Sequence, residues 1–351
     1  MTDLLYSDVE EELRASVRAL LADRTDLSRL ESPEPVDLKL WRTLAVDLGC
    51  AGLPVPESQG GAGASWRETA VVLEELGRTV APVPFLGSAV LATAALLDSG
   101  DPLLAELAAG TRTATLAVPA TATTDGPHWT VTATGDTLDG DVTSVIDAGA
   151  ADVLLVPTAA GLFAVAAADV VRTPVVSFDL TRPLTDITLR STPGRRIADS
   201  RPAVTRALTV AAALLSAEQL GVAEWCLTAT VQYGLARRQF ARQIGSYQAV
   251  KHRLADLWVS ITQARAVSRY AADCLATDDP DTAVAASLAQ AFCSPLAVKA
   301  AEECVQLHGG IGFTWEHPAH LYLKRARANA VIFGSAAHHR TTLATHLSLP
   351  A

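Results

Sequence analysis

The periodicity of this chain changes twice, and its middle stretch constrains the fold most. Residues 111–192 are dense in threonine and valine, set in short alternating runs at 113–118, 129–133, 153–156, 162–166 and 186–190, with Asp-Gly and Gly-Asp pairs between them. Period two with turn residues at the joins predicts half-buried strands, and about 80 residues of it suffices for a small barrel or sandwich. On both sides apolar residues recur at helical spacing instead. The N-terminal runs are 9–21, 38–48, 66–80 and 87–97, with Asp37 and Ser65 placed as N-caps and Gly49 as a stop. The connection 52–63 is rich in proline and glycine and predicts an ordered turn region. C-terminally the runs 203–235, 250–276, 282–307 and 320–347 are each long enough to cross a domain, and Pro295 is expected to kink the third or mark its first turn. Four long antiparallel helices make a bundle. The predicted architecture is mainly α with a small β-domain: a helical N-terminal domain over 1–110, a middle β-barrel or sandwich over 111–200, and a C-terminal four-helix bundle over 201–351.

Composition narrows the function classes. Hydrophobic residues make up 49% and charged residues 19% of 351, enough for a large core without disulfide or metal staples. The formal charge of −10 argues against a nucleic-acid partner or an anionic membrane surface. Apolar runs are short and alanine-rich, below the ~20 residues of a membrane span. The acidic start, Asp8 to Glu12, lacks the cationic region of a signal peptide, so a cytoplasmic location is expected. Cys50, Cys226, Cys274, Cys293 and Cys304 are scattered, with no C-x-x-C pair, and are expected to be buried thiols of a reducing compartment. The histidines His317, His320, His338 and His339 lack the carboxylates and spacing of a metal site and are expected at the surface; no metal is predicted.

Two clusters carry possible chemistry. The stretch 236–248 holds Arg237, Arg238 and Arg242 with amides and Phe240 around a tight turn. Such a cluster can hold phosphate, or can be a solvated helix end. Residues 306–313, Gln306-Leu307-His308-Gly309-Gly310-Ile311-Gly312-Phe313, close the third long helix. Glycines there permit close approach of a ligand, or form an ordinary helix stop. Nucleophile motifs are absent, and Glu218 and Glu224, six apart on one helix, lie on different faces.

Together these stretches resemble the acyl-CoA dehydrogenase family over nearly the whole chain. Leu48–Glu57 (48–57), Gly60-Gly61-Ala62-Gly63 and Leu73-Glu74-Glu75-Leu76-Gly77-Arg78 are similar to its helical N-terminal domain, while 237–256 and 306–318 resemble more specific C-terminal motifs. The resemblance implies FAD shared between two subunits, with its flavin ring in one and its pyrophosphate and adenosine against the other's bundle. It implies that Arg237 faces the pyrophosphate, that Phe240 and Gln248 are neighbouring contacts, and that Gln306, Leu307, His308, Gly309 and Gly310 receive the adenosine end. Gly334-Ser335 stands where members carry a Gly-Thr pair and joins the cofactor contacts. An acyl-CoA thioester as substrate and an electron-transferring flavoprotein as acceptor are implied in the same way.

The other half of the family pattern differs. Where members carry a Thr-Glu-Pro segment lining the flavin, this chain reads Leu116-Ala117-Val118-Pro119-Ala120-Thr121, and Ser144 and Ile146 stand where an aromatic and a hydroxyl residue are usual. The two positions at which members place the glutamate that removes the substrate's α-proton hold Phe333 and Ala211, neither of which accepts a proton. No catalytic residue is therefore assigned. Three readings follow from the resemblance. The chain is the non-catalytic subunit of a hetero-oligomer completing the FAD site of a catalytic paralogue, or a self-sufficient enzyme with a relocated base (Glu218 being nearest), or a flavin-free scaffold.

Overall fold

Helix boundaries in the N-terminal part follow from local capping. The structure, a computed structural model, describes residues 4–32, 35–126 and 129–348. Helix α1 (Asp8–Arg24) opens on a reciprocal cap in which Glu10 donates its amide to the Ser7 hydroxyl and Ser7 donates its own amide to the Glu10 carboxylate. Asp37 caps α2 (Leu38–Arg42), accepting from the Lys39 and Leu40 amides at 3.1 and 2.9 Å. That helix widens into a π-turn over Thr43–Asp47, and the chain turns at Gly49 with φ 66°. Ser65 and Glu68 form a second reciprocal cap for α3 (Trp66–Thr79). The helix expected over 87–97 is a π-helical run, Leu86–Ala92, that tightens into α4 (Thr93–Leu96). A short α5 (Leu103–Ala108), which the periodicity does not reveal, follows Asp101, whose carboxylate accepts from the Leu103 amide.

The middle segment is a two-sheet sandwich. Its strands are β1 (Ala114–Leu116), β2 (Val131–Thr134), β3 (Thr137–Ile146), β4 (Val153–Thr158), β5 (Gly161–Ala166), β6 (Val171–Val175), β7 (Leu184–Pro193) and β8 (Arg195–Ala198). One sheet runs β1-β4-β5-β8, with β1 and β4 parallel; the other runs β2-β3-β7-β6 and is antiparallel. Leu138, Val142, Leu154, Val156, Phe163, Ile187 and Leu189 fill the space between them. The long β3 is hidden in the sequence because Gly140-Asp141 looks like a turn. Gly140 is instead an irregularity inside the strand, with φ 147° and a register shift beside it, and a methyl there would stand 2.5 Å from the Thr130 carbonyl oxygen.

The C-terminal helices are α6 (Ser200–Ala236), α7 (Gln248–Ala276), α8 (Thr282–His308), α9 (Ala319–Asn329) and α10 (Ala336–His346), with a small hairpin of β9 (Arg238–Gln239) and β10 (Arg242–Gln243) after α6. The single helix expected over 320–347 is thus two. Phe333 and Gly334 take positive φ (56° and 107°) between them, and the Ser335 hydroxyl starts α10 by accepting from the His338 amide. Pro295 lies in the interior of α8 rather than in its first turn, and on an exposed side. By length and composition α6 and the segment Thr282–Phe313 could cross a membrane, contrary to the expectation of short apolar runs. In α6 the apolarity serves the interior instead, since 83% of its most apolar window is buried in the protein.

Helix α6 is the element that the others pack against, and α3 crosses it in backbone contact. A methyl on Gly221 would stand 1.9 Å from the Glu74 carbonyl oxygen, and one on Gly77 2.1 Å from that of Glu218. Only glycine allows two helices to approach so closely. Gly221→Ala is expected to destabilise the chain by ~1–3 kcal/mol through overpacking, measured as a lowered denaturation midpoint. An unchanged midpoint would show that this crossing can relax.

Candidate functional site

One end of the bundle presents an open cationic surface. Past α6 the Arg237 amide donates to the Tyr233 carbonyl at 2.8 Å, and the chain reverses through the β9–β10 hairpin. Phe240 and Ala241 form its tip with φ of 50° and 63°, so a two-residue left-handed turn is built without glycine and Phe240 is left 89% exposed. The hairpin folds onto the helix end through glycine contact, since a methyl on Gly245 would meet the Gly234 carbonyl oxygen at 3.0 Å. Arg237, Arg238 and Arg242 are exposed, and among the described residues none of them forms a salt bridge; Arg242 lies 3.6 Å over the Tyr247 ring. Gln248, the exposed first residue of α7, follows directly.

The 306–310 stretch reaches the same end. His308 is buried, bonds the Cys304 carbonyl at 2.7 Å through Nδ1, stacks on Tyr233 with ring centroids 4.4 Å apart, and meets the tilted ring of His317 at 4.2 Å. Tyr233 is one turn before Arg237, so this stack joins the two clusters that the sequence separates. Gln306, Gly309 and Gly310 are exposed and Leu307 is half-buried, and a Cβ on either glycine would meet nothing within 4 Å. Their glycines thus leave open surface rather than relieve crowding within the chain. Phe313 and Trp315 extend the exposed apolar area beside them.

Where the β-sandwich meets the bundle, the chain is tied together by backbone hydrogen bonds. Ala211 is buried on α6, and Phe333 is buried in a cavity of about 40 Å³ that Leu208, Thr209 and Ala212 also line. The Phe333 amide donates to the Ala120 carbonyl at 2.9 Å, and the Ala120 amide donates to the Ser144 carbonyl at 3.0 Å. Segment 119–120 is therefore stitched to both β3 and the 330–335 loop. Ser144, at φ 55° beside a register shift, donates its amide to Asp186 at 2.7 Å, and Ile146 is buried in the core. A cleft of about 310 Å³ with Val118, Pro119, Trp129 and Val142 in its wall opens next to this segment. A methyl on Gly334 would stand 2.7 Å from His338 Cδ2 and would have to displace that ring. His339, expected at the surface, is 6% exposed. Its placement one turn into α10 aims it inward at the Phe333 carbonyl, which its Nε2 meets at 3.0 Å.

Glu218 is not available as a base. Its carboxylate takes Arg182, Arg325 Nη1 at 3.0 Å and Asn329 Nδ2 at 2.8 Å. Arg325 Nε also reaches Asp179 at 2.6 Å, and Arg182 Nη1 donates to Asn329 at 2.8 Å. Burial alone would push the Glu218 carboxyl up, but the two guanidiniums and the Asn329 amide outweigh it and hold it at about 2. The sequence does not point to Asp179, Arg182, Arg325 and Asn329, because Lys324-Arg325-Ala326-Arg327 looks like a solvated run. The signal is positional: Tyr322, Arg325 and Asn329 share one face of α9, with Arg325 and Asn329 four apart. The cysteines are buried and free, as expected, and among the described residues no group of three or more His, Cys, Asp or Glu is arranged for a metal.

Comparison with known proteins agrees with the domain order. Residues 7–106 match the acyl-CoA dehydrogenase N-terminal domain family and residues 201–348 its C-terminal domain family. The chain is 38% identical over 334 residues to acyl-CoA dehydrogenase IpdE2 of Mycobacterium tuberculosis, covering 92% of each. Its structure is similar to a chain of the ChsE4-ChsE5 complex from the same organism (TM-score 0.89, 28% identity, 100% of both chains). It is also similar to a chain of the Tcur3481-Tcur3483 steroid ACAD G363A variant (TM-score 0.86, 29% identity, 97% of this chain and 98% of that one).

Glu218→Gln leaves Arg182 and Arg325 buried against a neutral group and is expected to cost ~3–5 kcal/mol of unfolding free energy. The ionised carboxylate stabilises the fold above its ordinary range near 4.5, and that contribution is lost as pH falls from there through about 2. Urea unfolding at pH 7 and pH 3 should show the wild type losing stability in acid and the variant losing less; parallel losses would show that Glu218 does not carry the acid sensitivity.

Proposed function

This chain belongs to the acyl-CoA dehydrogenase family of flavin-dependent oxidoreductases, and we propose that within it the chain is the non-catalytic subunit of a hetero-oligomer, completing the FAD site of a catalytic paralogue. The observation that carries this reading is the contrast between its two candidate half-sites. The surface where pyrophosphate and adenosine would lie is open and cationic, and among the described residues Arg237, Arg238 and Arg242 form no salt bridge. The region where a flavin ring and a thioester would lie offers a cleft of about 310 Å³ and carries phenylalanine and alanine, not a carboxylate, at 333 and 211.

On the open side, the Arg237 guanidinium offers a planar fork suited to a diphosphate, with Gln248 as a second donor. Gln306, Leu307, His308, Gly309 and Gly310 would meet the adenosine end, with free backbone at the two glycines. Exposed Phe240, Phe313 and Trp315 around this surface suit burial by a second subunit. Bound FAD supplies the acceptor for a hydride leaving the β-carbon of an acyl-CoA thioester. On the other side, Phe333 and Ala211 occupy the positions of the proton-removing carboxylate, Glu218 is engaged by two arginines, and the Ser335 hydroxyl caps α10. Base and flavin pocket then come from the paralogue, with electrons passing on to an electron-transferring flavoprotein in the cytoplasm. The ChsE4-ChsE5 complex, a two-protein assembly, supports a paired arrangement.

Purified alone, the chain should be colourless and unable to oxidise acyl-CoA. Purified with its paralogue it should carry about one FAD per two chains; a yellow and active lone chain would overturn the reading. Arg237→Ala should weaken FAD retention by the pair roughly 10- to 100-fold, the range of a lost charge-assisted hydrogen bond. Flavin absorbance after dialysis measures it, and unchanged retention counts against the assigned role.

A further inference from the structure

We propose that Tyr233 and His317 are positioning residues: packed on either side of His308, their rings fix the Arg237 arm of the candidate cofactor surface against its Gly309-Gly310 arm. The proposal rests on the reading of that surface as half of an FAD site. It adds two residues that act through others.

Five rings form a continuous row. Tyr322 on α9 lies parallel to Trp225 on α6, with centroids 3.5 Å and planes 2° apart, and its hydroxyl donates to the Arg78 carbonyl at 2.6 Å. Trp225 meets His317 at 6.2 Å, His317 meets His308 at 4.2 Å, and His308 meets Tyr233 at 4.4 Å. Tyr233 lies roughly two turns beyond Trp225 on the same helix. The row therefore leaves α6, takes in the segment before α9 and the end of α8, and returns to α6. Both histidines are also held by the backbone. His308 Nδ1 donates to the Cys304 carbonyl, and His317 Nδ1 accepts from the Ala319 amide at 3.2 Å.

Each arm of the surface gains from that support. Helix ends fray unless something packs on them. Arg237 leaves the last turn of α6, its amide bonded to the Tyr233 carbonyl at 2.8 Å and its carbonyl accepting from the Ile244 amide at 2.9 Å. The Tyr233 ring thus stands on the turn that carries the arginine. On the other arm Gly309 takes φ 63° and neither glycine has a side chain to pack, so the ring of His308, the last residue of α8, ties this turn to α6. A ligand that spans both arms binds more tightly when their separation is set beforehand.

Flavin absorbance of the purified pair after dialysis tests this. Tyr233→Leu keeps an apolar body without the ring. His317→Asn keeps an acceptor near the Nδ1 position for the Ala319 amide, again without the ring. Each should weaken FAD retention about three- to tenfold, the range of one lost aromatic contact, while Tyr233→Phe should retain FAD as the wild type does. Tyr233→Leu combined with Arg237→Ala should lose no more FAD than Arg237→Ala alone, because a residue that acts by placing Arg237 then has nothing to place. Losses that add, or wild-type retention in both ringless variants, overturn the positioning role and leave the half-site reading standing. Unchanged retention in Arg237→Ala overturns the half-site reading, and the positioning role with it.

Discussion

The buried cluster of Arg325, Arg182, Glu218 and Asp179 is the interaction on which the arrangement of this molecule depends. Two guanidiniums and two carboxylates balance in charge, and Thr181 and Asn329 satisfy further donors and acceptors. Its members come from the loop between β6 and β7, from the middle of α6 and from α9. Taking four charges out of water is costly, and such a set survives only when every member is paired. It therefore holds the sandwich at one position on the bundle, because any displacement would leave a buried ion without its partner.

Around that point α6 is gripped from both sides. Gly221, one turn beyond Glu218, and Gly77 on α3 bring the N-terminal helices into backbone contact with the same stretch of α6. The consequence for chemistry is direct. The carboxylate nearest the expected base position is held at about 2 by its partners and belongs to the architecture. Positions 211 and 333 carry a buried alanine and a buried phenylalanine. A seam with no carboxylate at 211 or 333 and an exposed arginine hairpin make the chain chemically lopsided, and this underlies its proposed role as half of a shared site.

Much of the fold is legible in the sequence, for identifiable reasons. Asp37, Ser65 and Gly49 act locally, and the structure uses each as its residue type dictates. Long helical periodicity marks the bundle, and the threonine-valine alternation marks the sheets. The pattern misleads where one residue type serves two purposes. Gly140 bends a strand rather than ending it, and Gly334-Ser335 stops one helix and starts another inside a run that is apolar-periodic throughout. His339 and Arg325 belong to residue types that are usually solvated, and nothing in their immediate neighbours announces burial.

The sequence by itself determined the order of helices, sheets and bundle, the resemblance to a family, the arginine-glycine motifs and the alanine and phenylalanine at 211 and 333, because these are matters of local pattern and residue identity. Only the tertiary structure decided that Glu218 is an ion-pair member, that the 306–310 and 237–248 stretches meet through Tyr233 and His308, and that the Phe333 backbone is bonded to Ala120 and His339. Each of those depends on which groups are brought together out of water. Partners distant in the chain, rather than the residue's own chemistry, set whether a carboxylate is a base or a brace.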